Sequence, residues 1–453
     1  MTALWFEIAL LPAGWARGVR ISHAGGVITA VAADAAPEVG DERGAIAVPG
    51  VGNLHSHAFQ RAMAGLAETR GRGGEDSFWT WREVMYRFVE RLTPDDVRVI
   101  AAQAFAEMLE CGFTRVGEFH YLHHDTDGSP FADPALMAVE IIAAAEAAGI
   151  GLTLLPVFYA HAGFGGAPAG PAQCRFTHSV DGFARLVERC RAAIGALPDG
   201  LVGIAPHSLR AVTPDELAAI LPLADDAPIH IHVAEQTREV DDCLAWSGQR
   251  PVAWLLDHAP VDRRWCLVHA THLVEAEARG FAASGATAGL CPITEANLGD
   301  GVFPAESFLA AGGAFGIGSD SNVLIDLAEE LRLLEYGQRL TRRSRAVLAN
   351  PERVSVGAAL FHGALNGGGR ALGVQAGIAA GAALDLASLK ADHPALAGRS
   401  GDALLDGWIF AARGGAVDDV WRRGVKVVAG GRHLRGEAIA ADYRRVLARL
   451  LGR

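Results

Sequence analysis

The sequence predicts an α/β protein in which a (β/α)8 barrel is flanked by two β-rich ends. The 453-residue chain is about as long as a barrel of roughly 250 residues plus an added module. Its middle alternates eight short apolar runs with longer helical patterns, which is typical of βα units around a parallel sheet. Short strand-like segments broken by turns occupy both ends, so these ends differ in character from the middle.

Each apolar run is a candidate strand, and the longer segments between the runs are candidate helices. We predict strands at 46–54, 114–119, 152–158, 202–205, 229–233, 266–268, 287–290 and 314–317. We predict helices at 94–110, 134–148, 180–196, 214–223, 275–283 and 327–348. Eight βα units favour a closed barrel over an open sheet.

One connection, 59–93, is much longer than the others. It contains a glycine-rich stretch at 71–74 followed by an aromatic stretch at 78–82. A long, glycine-hinged loop after a barrel strand suits a lid over an active site. A packing flap or a subunit contact explains the same pattern equally well.

The charged residues exclude several classes of function. Forty basic and 52 acidic side chains give a formal net charge of −12, which argues against a nucleic-acid binder or a basic membrane-surface protein. An anionic small-molecule substrate must therefore be held by local charge.

Lysine is rare in this chain, where only Lys390 and Lys426 are lysines. Schiff-base catalysis, P-loops and carbamate-bridged metal pairs consequently lack their key residue across most of the chain.

The six cysteines form no Cys-x-x-Cys pair, so we expect buried thiols in a reducing compartment. The first eleven residues carry Glu7 and show neither a basic start nor an Ala-x-Ala site. We therefore expect a cytoplasmic protein with no membrane partner.

Histidines and an aspartate stand where the predicted strands end. His55 and His57 are spaced i, i+2, so on an extended strand both rings face one side. His232, His269 and Asp320 follow the fifth, sixth and eighth strands. In a closed barrel all these positions meet at the C-terminal rim, where barrel enzymes carry out their chemistry. Three imidazoles and a carboxylate suit zinc or a similar divalent ion.

Other polar residues near these strand ends are candidates for chemistry on a substrate. Glu235, three residues after His232, is placed to shuttle protons beside a metal-activated water, although a plain helix-start glutamate is the alternative. Tyr121, His207 and Arg210 would orient a substrate, and an arginine at the rim would bind a carboxylate. The alternative for the arginine is a surface salt bridge.

These motifs resemble those of the amidohydrolase superfamily over nearly the whole chain. The resemblance rests on PGVGNLHSH at 49–57, VHATHL at 268–273 and GSD at 318–320. It implies a TIM-like barrel at 49–371 and a small composite β-sandwich domain formed by 1–48 and 372–453, the latter with a C-terminal helix. Members that bridge two metals often use a carboxylated lysine, and this barrel has no lysine. The resemblance is therefore to the mononuclear aminohydrolases.

Within that group the chain looks most like the formimidoylglutamate deiminases of histidine degradation. The motifs are HSHAFQR at 55–61, FWTWR at 78–82, EFHY at 118–121, HSLR at 207–210 and HVAEQ at 232–236. The resemblance implies that Gln60, Tyr121, His207 and Arg210 contact the substrate.

The resemblance also implies a reaction, hydrolysis of N-formimidoyl-L-glutamate to N-formyl-L-glutamate and ammonia. One zinc ion per subunit, with iron or manganese as alternatives, would be held by His55, His57, His232 and Asp320. Glu235, His269 and Asp320 would be catalytic, and the enzyme would be a homodimer. Two alternatives stay open: a zinc-dependent deaminase of a nucleobase or S-adenosylhomocysteine, and a metal-stabilised binding protein without catalysis.

Overall fold

The computed structural model describes residues 3–69 and 78–452, so the predicted glycine-rich stretch at 71–74 lies outside the described residues. In chain order the strands are β1 (Ala3–Leu11), β2 (Gly14–Ala24), β3 (Val27–Ala32), β4 (Glu42–Pro49), β5 (Val51–Ser56), β6 (Phe113–His120), β7 (Gly151–Phe158), β8 (His161–Gly163), β9 (Ala167–Pro168), β10 (Leu201–Val202), β11 (Ala205–Pro206), β12 (Ile229–Val233), β13 (Trp265–His269), β14 (Thr287–Leu290), β15 (Ala314–Ile317), β16 (Leu386–Leu389), β17 (Val417–Arg422), β18 (Val425–Ala429) and β19 (Arg432–His433).

The helices lie mostly between the barrel strands. They are α1 (Phe78–Val89), α2 (Pro94–Glu110), α3 (Leu136–Ala148), α4 (Val180–Ala193), α5 (Pro214–Ile220), α6 (Thr237–Ser247), α7 (Pro251–His258), α8 (Glu275–Ser284), α9 (Pro292–Leu298), α10 (Ala305–Ala310), α11 (Leu327–Arg342), α12 (Val356–Ala371), α13 (Ala403–Ala411) and α14 (Gly436–Leu450). Short 3-10 helices cover Ala58–Met63, Pro171–Gln173, Ile194–Ala196 and Leu221–Ala224.

The predicted α/β barrel is confirmed. Its parallel strands follow the order β10, β7, β6, β5, β15, β14, β13, β12, and β11 also pairs with β7. Bridges from Ile204 to Ile229 and from Ser208 to His232 join the fourth position to β12, which closes the ring. The carboxyl ends of these strands therefore meet at one rim, as the sequence predicts.

Two predicted strands are wrong in detail. The first, 46–54, is broken at Gly50 into β4, which belongs to the terminal sheet, and β5, which belongs to the barrel. A Cβ at Gly50 would lie 2.3 Å from the Thr114 side chain, so only glycine allows this passage between the sheets. The fourth strand, 202–205, is two short pieces on either side of Gly203, where a Cβ would lie 2.4 Å from the Pro228 carbonyl oxygen.

The two ends of the chain form one mixed sheet, as the β-rich ends predict. Its order is β19, β18, β17, β16, β4, β1, β2, β3, so strands from both termini are neighbours at β16 and β4. Phe6 and Trp421, one from each end, pack edge to face with ring centroids 5.7 Å apart. The division of the chain at 48/49 and 371/372 stays a prediction.

The helix predictions succeed where capping signals are strong. α2 has the predicted bounds because Thr93 and Asp96 form a capping box, in which Asp96 Oδ2 accepts the Thr93 N–H at 2.9 Å. The helix predicted at 327–348 ends instead at Arg342, since Arg343 adopts a left-handed conformation with φ of +53°. The sequence analysis did not predict α6, α7, α9, α10, α12 or α13.

The long connection 59–93 is not an open loop in its described part. The 3-10 helix Ala58–Met63 and α1 occupy most of it.

Four of the six cysteines are buried, as expected, whereas Cys111 and Cys174 are half-buried. Among the described residues, none of the helices has both the length and the apolar character needed to cross a membrane.

A buried ion cluster ties the terminal sheet to the bottom of the barrel. Arg422 of β17 is 6% exposed and donates to Asp385 Oδ1 at 2.7 Å and to Asp199. Arg115 of β6 donates to the same Asp199 oxygen, Oδ2, at 2.6 Å. Removing one member of such a cluster leaves buried charge without compensation.

Arg422→Met should therefore lower the free energy of unfolding by about 3–5 kcal/mol. The reason is that Asp385 and Asp199 lose their shared cation while they remain in the cluster. Urea denaturation checks this, with Arg445→Met as the control. Arg445 pairs with Asp442 on the surface of α14, where the side chain is 76% exposed, so its loss should cost well under 1 kcal/mol. Equal effects of the two variants would contradict the prediction.

Candidate metal and active site

The four predicted metal ligands lie together at the C-terminal rim of the barrel. His55 is on β5, His57 directly follows that strand, His232 is on β12, and Asp320 comes just after β15. All four are buried, and their ligand atoms lie within 4.8 Å of one another. Together they form a buried His-His-His-Asp metal-binding group.

The spacing of these ligand atoms fits a small divalent ion. The Nε2 atom of His55 lies 3.0 Å from that of His232, 3.2 Å from that of His57 and 3.4 Å from Asp320 Oδ1. Ligands bound tetrahedrally at zinc distances stand about 3.3 Å apart. The donor set of imidazoles and one carboxylate is also one that zinc favours.

Hydrogen bonds and burial place the histidines in the state that binds a metal. The Nδ1 atoms of His57 and His232 face the Phe119 and His207 carbonyl oxygens at 2.9 and 3.0 Å. A carbonyl oxygen only accepts, so these Nδ1 atoms carry the protons and the Nε2 lone pairs are directed at the shared point. Burial lowers the pKa of His55 to about 3, which keeps that ring neutral.

Asp320 belongs to the same group as an ionised ligand. Burial alone would raise the pKa of Asp320, but the adjacent His55 and His57 rings hold that pKa well below its usual value. Its two oxygens have different neighbours: Oδ1 lies 3.2 Å from His57 Nε2, whereas Oδ2 lies 3.8 Å from His269 Nε2.

A second group of potential ligands, formed by His269, Cys291 and Asp320, is less suited to an ion. Burial and the nearby carboxylates raise the pKa of the Cys291 thiol well above its usual value, so it stays protonated, and metals bind the thiolate. The Nδ1 atom of His269 is already 3.2 Å from Glu295 Oε1.

A buried hydrogen-bond clasp fixes Asp320 against the first barrel strand. Asn322 donates through Nδ2 to the Ser56 hydroxyl and to the His57 and Asp320 carbonyl oxygens, each at 3.1 Å. Asp320 and Asn322 both adopt left-handed conformations, with φ of 45° and 55°. Non-glycine residues in this region carry strain, and they concentrate at functional sites. Sequence analysis did not identify this clasp.

Glu235 lies between a histidine and an arginine beside the metal group. Its Oε1 atom is 3.8 Å from His269 Nε2 and its Oε2 atom is 3.9 Å from Arg210 Nη2. Burial raises the pKa of Glu235, which favours a carboxyl group that can carry a proton. The backbone N–H of Glu235 donates to Glu239 Oε2 at 3.2 Å, so a second buried carboxylate holds this segment in place.

His269 ends β13 with a φ of +65° and is 1% exposed. Burial works to lower the pKa of its ring, but the surrounding carboxylates, led by Glu235, outweigh burial and raise that pKa to about 10. The ring therefore suits a hydrogen-bond donor to an oxygen that gains negative charge.

A cleft of about 570 Å³ opens onto the metal group, and all four predicted substrate-binding residues line it. Gln60 donates to the Tyr121 hydroxyl at 2.8 Å. The side chain of Arg210 is 12% exposed, so the alternative of a surface salt bridge is wrong. The same cleft has lining residues that the sequence analysis did not assign to substrate binding: Trp81, Arg82, Tyr86, Tyr159 and Phe176.

Some of these additional residues could have been predicted from the sequence, and others could not. Trp81, Arg82 and Tyr86 lie on α1, within or next to the aromatic stretch that suggested a lid. This helix lines the cleft. That it closes over the site as a lid stays a prediction. Glu295, which contacts His269 from α9, had no signal, because a glutamate inside an unpredicted helix resembles any surface residue.

Comparison with known proteins places this site in a family. Residues 46–427 match the amidohydrolase family, and residues 1–45 match the N-terminal domain of formimidoylglutamate deiminase HutF. A formimidoylglutamate deiminase from Pseudomonas aeruginosa is 53% identical over 454 residues, with all of each chain covered. The chain belongs to the formimidoylglutamate deiminase family of amidohydrolases. It is therefore a hydrolase.

Other proteins resemble this chain in sequence or in fold. The crystal structure of an amidohydrolase from Brucella melitensis is 54% identical and superposes with a TM-score of 0.96 over 100% of both chains. A 5-methylthioadenosine/S-adenosylhomocysteine deaminase from Natronomonas pharaonis is 30% identical, covering 83% of this chain and 80% of its own. An adenosine deaminase from Xanthomonas campestris with bound zinc is 23% identical with a TM-score of 0.82, over 100% and 99% of the chains, which shows the shared fold.

Proposed function

We propose that the enzyme hydrolyses N-formimidoyl-L-glutamate to N-formyl-L-glutamate and ammonia, with one zinc ion per chain. The observation that carries the proposal is the position of Glu235, whose two carboxylate oxygens face His269 and Arg210 beside the metal group. A proton carrier thus lies between a metal-binding group and a cation that can bind a carboxylate. The full-length relative from Pseudomonas aeruginosa supports the same activity.

The metal group supplies the nucleophile. A zinc ion would be held by His55, His57, His232 and Asp320, and it would lower the pKa of a water molecule to about 7. Iron and manganese suit the same nitrogen and oxygen donors. Asp320 would accept the proton of that water through Oδ2, the oxygen nearer to His269, because Oδ1 lies beside the other ligands.

Glu235 and His269 act on the amidine. Glu235 protonates the imine nitrogen, so the amidine carbon becomes more electrophilic and forms a bond to the water oxygen. His269 donates a hydrogen bond from Nε2 to this oxygen as the carbon becomes tetrahedral. Glu235 then carries the hydroxyl proton of the tetrahedral centre to the same nitrogen, the C–N bond breaks, and ammonia leaves the formyl product. The proton held by Asp320 restores the acid form of Glu235.

The cleft offers cations for both carboxylates of the glutamate end. Arg210 lies beside Glu235, and Arg82 lines the same cleft from α1 with its Nε donating to the Tyr86 hydroxyl. Gln60, Tyr121 and His207 complete the polar wall. Two half-buried guanidinium groups in one cleft explain how a protein with a net charge of −12 would bind a dicarboxylate.

A deaminase of a nucleobase or related ring is the second candidate. The aromatic side chains of Trp81, Tyr86, Tyr159 and Phe176 in the cleft favour it, because aromatic side chains stack on planar rings. The arginine pair favours the dicarboxylate instead, because two guanidinium groups in one cleft suit two carboxylates better than a neutral ring.

Ammonia release distinguishes these candidates. The metal-replete enzyme should release ammonia from formimidoylglutamate, with N-formylglutamate as the second product, and none from guanine, cytosine, S-adenosylhomocysteine or a triazine. Turnover of a ring without turnover of formimidoylglutamate would overturn the substrate and leave the chemistry intact. Bound metal without turnover of any compound would favour the non-catalytic alternative.

A further inference from the structure

We propose that Glu295 is a positioning residue that fixes the ring orientation of His269 and keeps a proton on its Nδ1 atom, so that Nε2 faces the reaction. This inference rests on the proposed function, because it explains how one of the proposed catalytic groups is held. Glu295 lies on α9, directly after β14, and is 4% exposed. It is outside the metal-binding groups and does not line the cleft.

The position of the Glu295 carboxylate is fixed by the backbone. Its Oε1 atom accepts the Cys291 N–H at 2.9 Å and lies 3.2 Å from His269 Nδ1. The Glu295 backbone is held as well, because its N–H donates to the Cys291 carbonyl oxygen and its own carbonyl accepts the Asp300 N–H, each at 2.9 Å. The carboxylate oxygen is therefore presented to His269 from a rigid turn of chain.

This contact determines which nitrogen of His269 faces the reaction. A carboxylate oxygen only accepts, so the Nδ1 atom of His269 must carry a proton. The opposite nitrogen, Nε2, is then directed at Glu235 Oε1 and Asp320 Oδ2, each 3.8 Å away. A half-turn of the ring about the Cβ–Cγ bond would put Cδ2 in the place of Nδ1 and Cε1 in the place of Nε2, and it would cost the bond to Glu295.

Glu295→Gln keeps an acceptor oxygen for the Cys291 N–H, but its amide group can also donate to His269 Nδ1. The orientation of the ring and the proton on Nδ1 are then no longer fixed. We expect kcat for formimidoylglutamate to fall about 10–100-fold, with KM changed by less than about threefold and the metal content unchanged. In a His269→Ala background the same substitution should change kcat by less than about twofold, because the group it positions is absent.

Glu335→Gln is the matched control. Glu335 is likewise a buried helical glutamate whose carboxylate accepts backbone N–H groups, those of Val347 and Leu348, away from the cleft. It should alter stability and leave kcat unchanged. Three results would overturn the proposal. Glu295→Gln could leave kcat unchanged, it could cause loss of the metal, or it could lower kcat equally in the wild-type and His269→Ala backgrounds.

A measurement on the unaltered holoenzyme tests the proton on His269 Nδ1 without any risk of misfolding. With 15N-labelled histidine, the His269 signal, assigned by its loss in His269→Ala, should show a protonated Nδ1. An unprotonated Nδ1 would overturn the inference. Because this readout needs no substrate, it is independent of the proposed function, whose own failure would appear as a wild-type enzyme inactive on formimidoylglutamate.

Discussion

Replacing Glu235 with glutamine should lower kcat for formimidoylglutamate about a thousandfold while the metal stays bound. General acid–base groups contribute about 10²- to 10⁴-fold, and Glu235 is proposed to act twice, on the imine nitrogen and on the leaving nitrogen. Glutamine has nearly the same shape, so the contacts with Arg210 and His269 change in charge more than in geometry. Steady-state kinetics with metal analysis of the same preparation measures both effects.

Glu277→Gln is the control for this experiment. Glu277 is a buried glutamate paired with Arg250 at 2.7 Å, outside the cleft, so its replacement should affect stability and not turnover. A kcat within tenfold of wild type for Glu235→Gln would remove Glu235 from the proton pathway. Loss of the metal would show instead that Glu235 supports the ligand group.

The sequence predicts the metal group well because the geometry of the barrel determines where the ends of its strands lie. Once His55, His232 and Asp320 are assigned to strand ends, closure of the barrel brings them to one rim without further information. The clasp around Asn322 and the contact from Glu295 could not be predicted in this way. Both depend on the paths of short segments after β14 and β15, where no repeating pattern fixes the side-chain directions.

The errors in the fold have a similar origin. The run at 46–54 is apolar without interruption, and its division at Gly50 is decided by β16, a strand more than 300 residues later that pairs with β4. The end of α11 is decided by Arg343 in a left-handed conformation, with neither glycine nor proline there to signal it. The local sequence pattern predicts that a strand or helix is present. Residues far away in the sequence determine which sheet a strand joins, and the backbone conformation after a helix determines where that helix ends.

Replacing Arg210 with methionine should raise KM for formimidoylglutamate about a hundredfold and change kcat much less. Truncating one member of a buried, hydrogen-bonded charge pair costs about 2–5 kcal/mol, and about 2.7 kcal/mol corresponds to a hundredfold change in affinity. Only 12% of the Arg210 side chain is exposed, so bulk water would poorly replace its contact with a substrate carboxylate. Arg210→Lys should have a KM between those of the wild type and Arg210→Met. Lysine keeps the positive charge but cannot form two parallel hydrogen bonds to a carboxylate.

A substrate analogue makes this prediction specific to one carboxylate. Wild-type enzyme should discriminate strongly between formimidoylglutamate and the analogue in which the carboxylate bound by Arg210 is an amide, and Arg210→Met should not. Arg82, which lines the same cleft, remains to bind the other carboxylate, so both enzymes should still reject the amide at that position. Arg279→Met, on the surface of α8 with a 61% exposed side chain, controls for net charge. If Arg210→Met kept the wild-type preference at both positions, Arg210 would act on Glu235 rather than on the substrate.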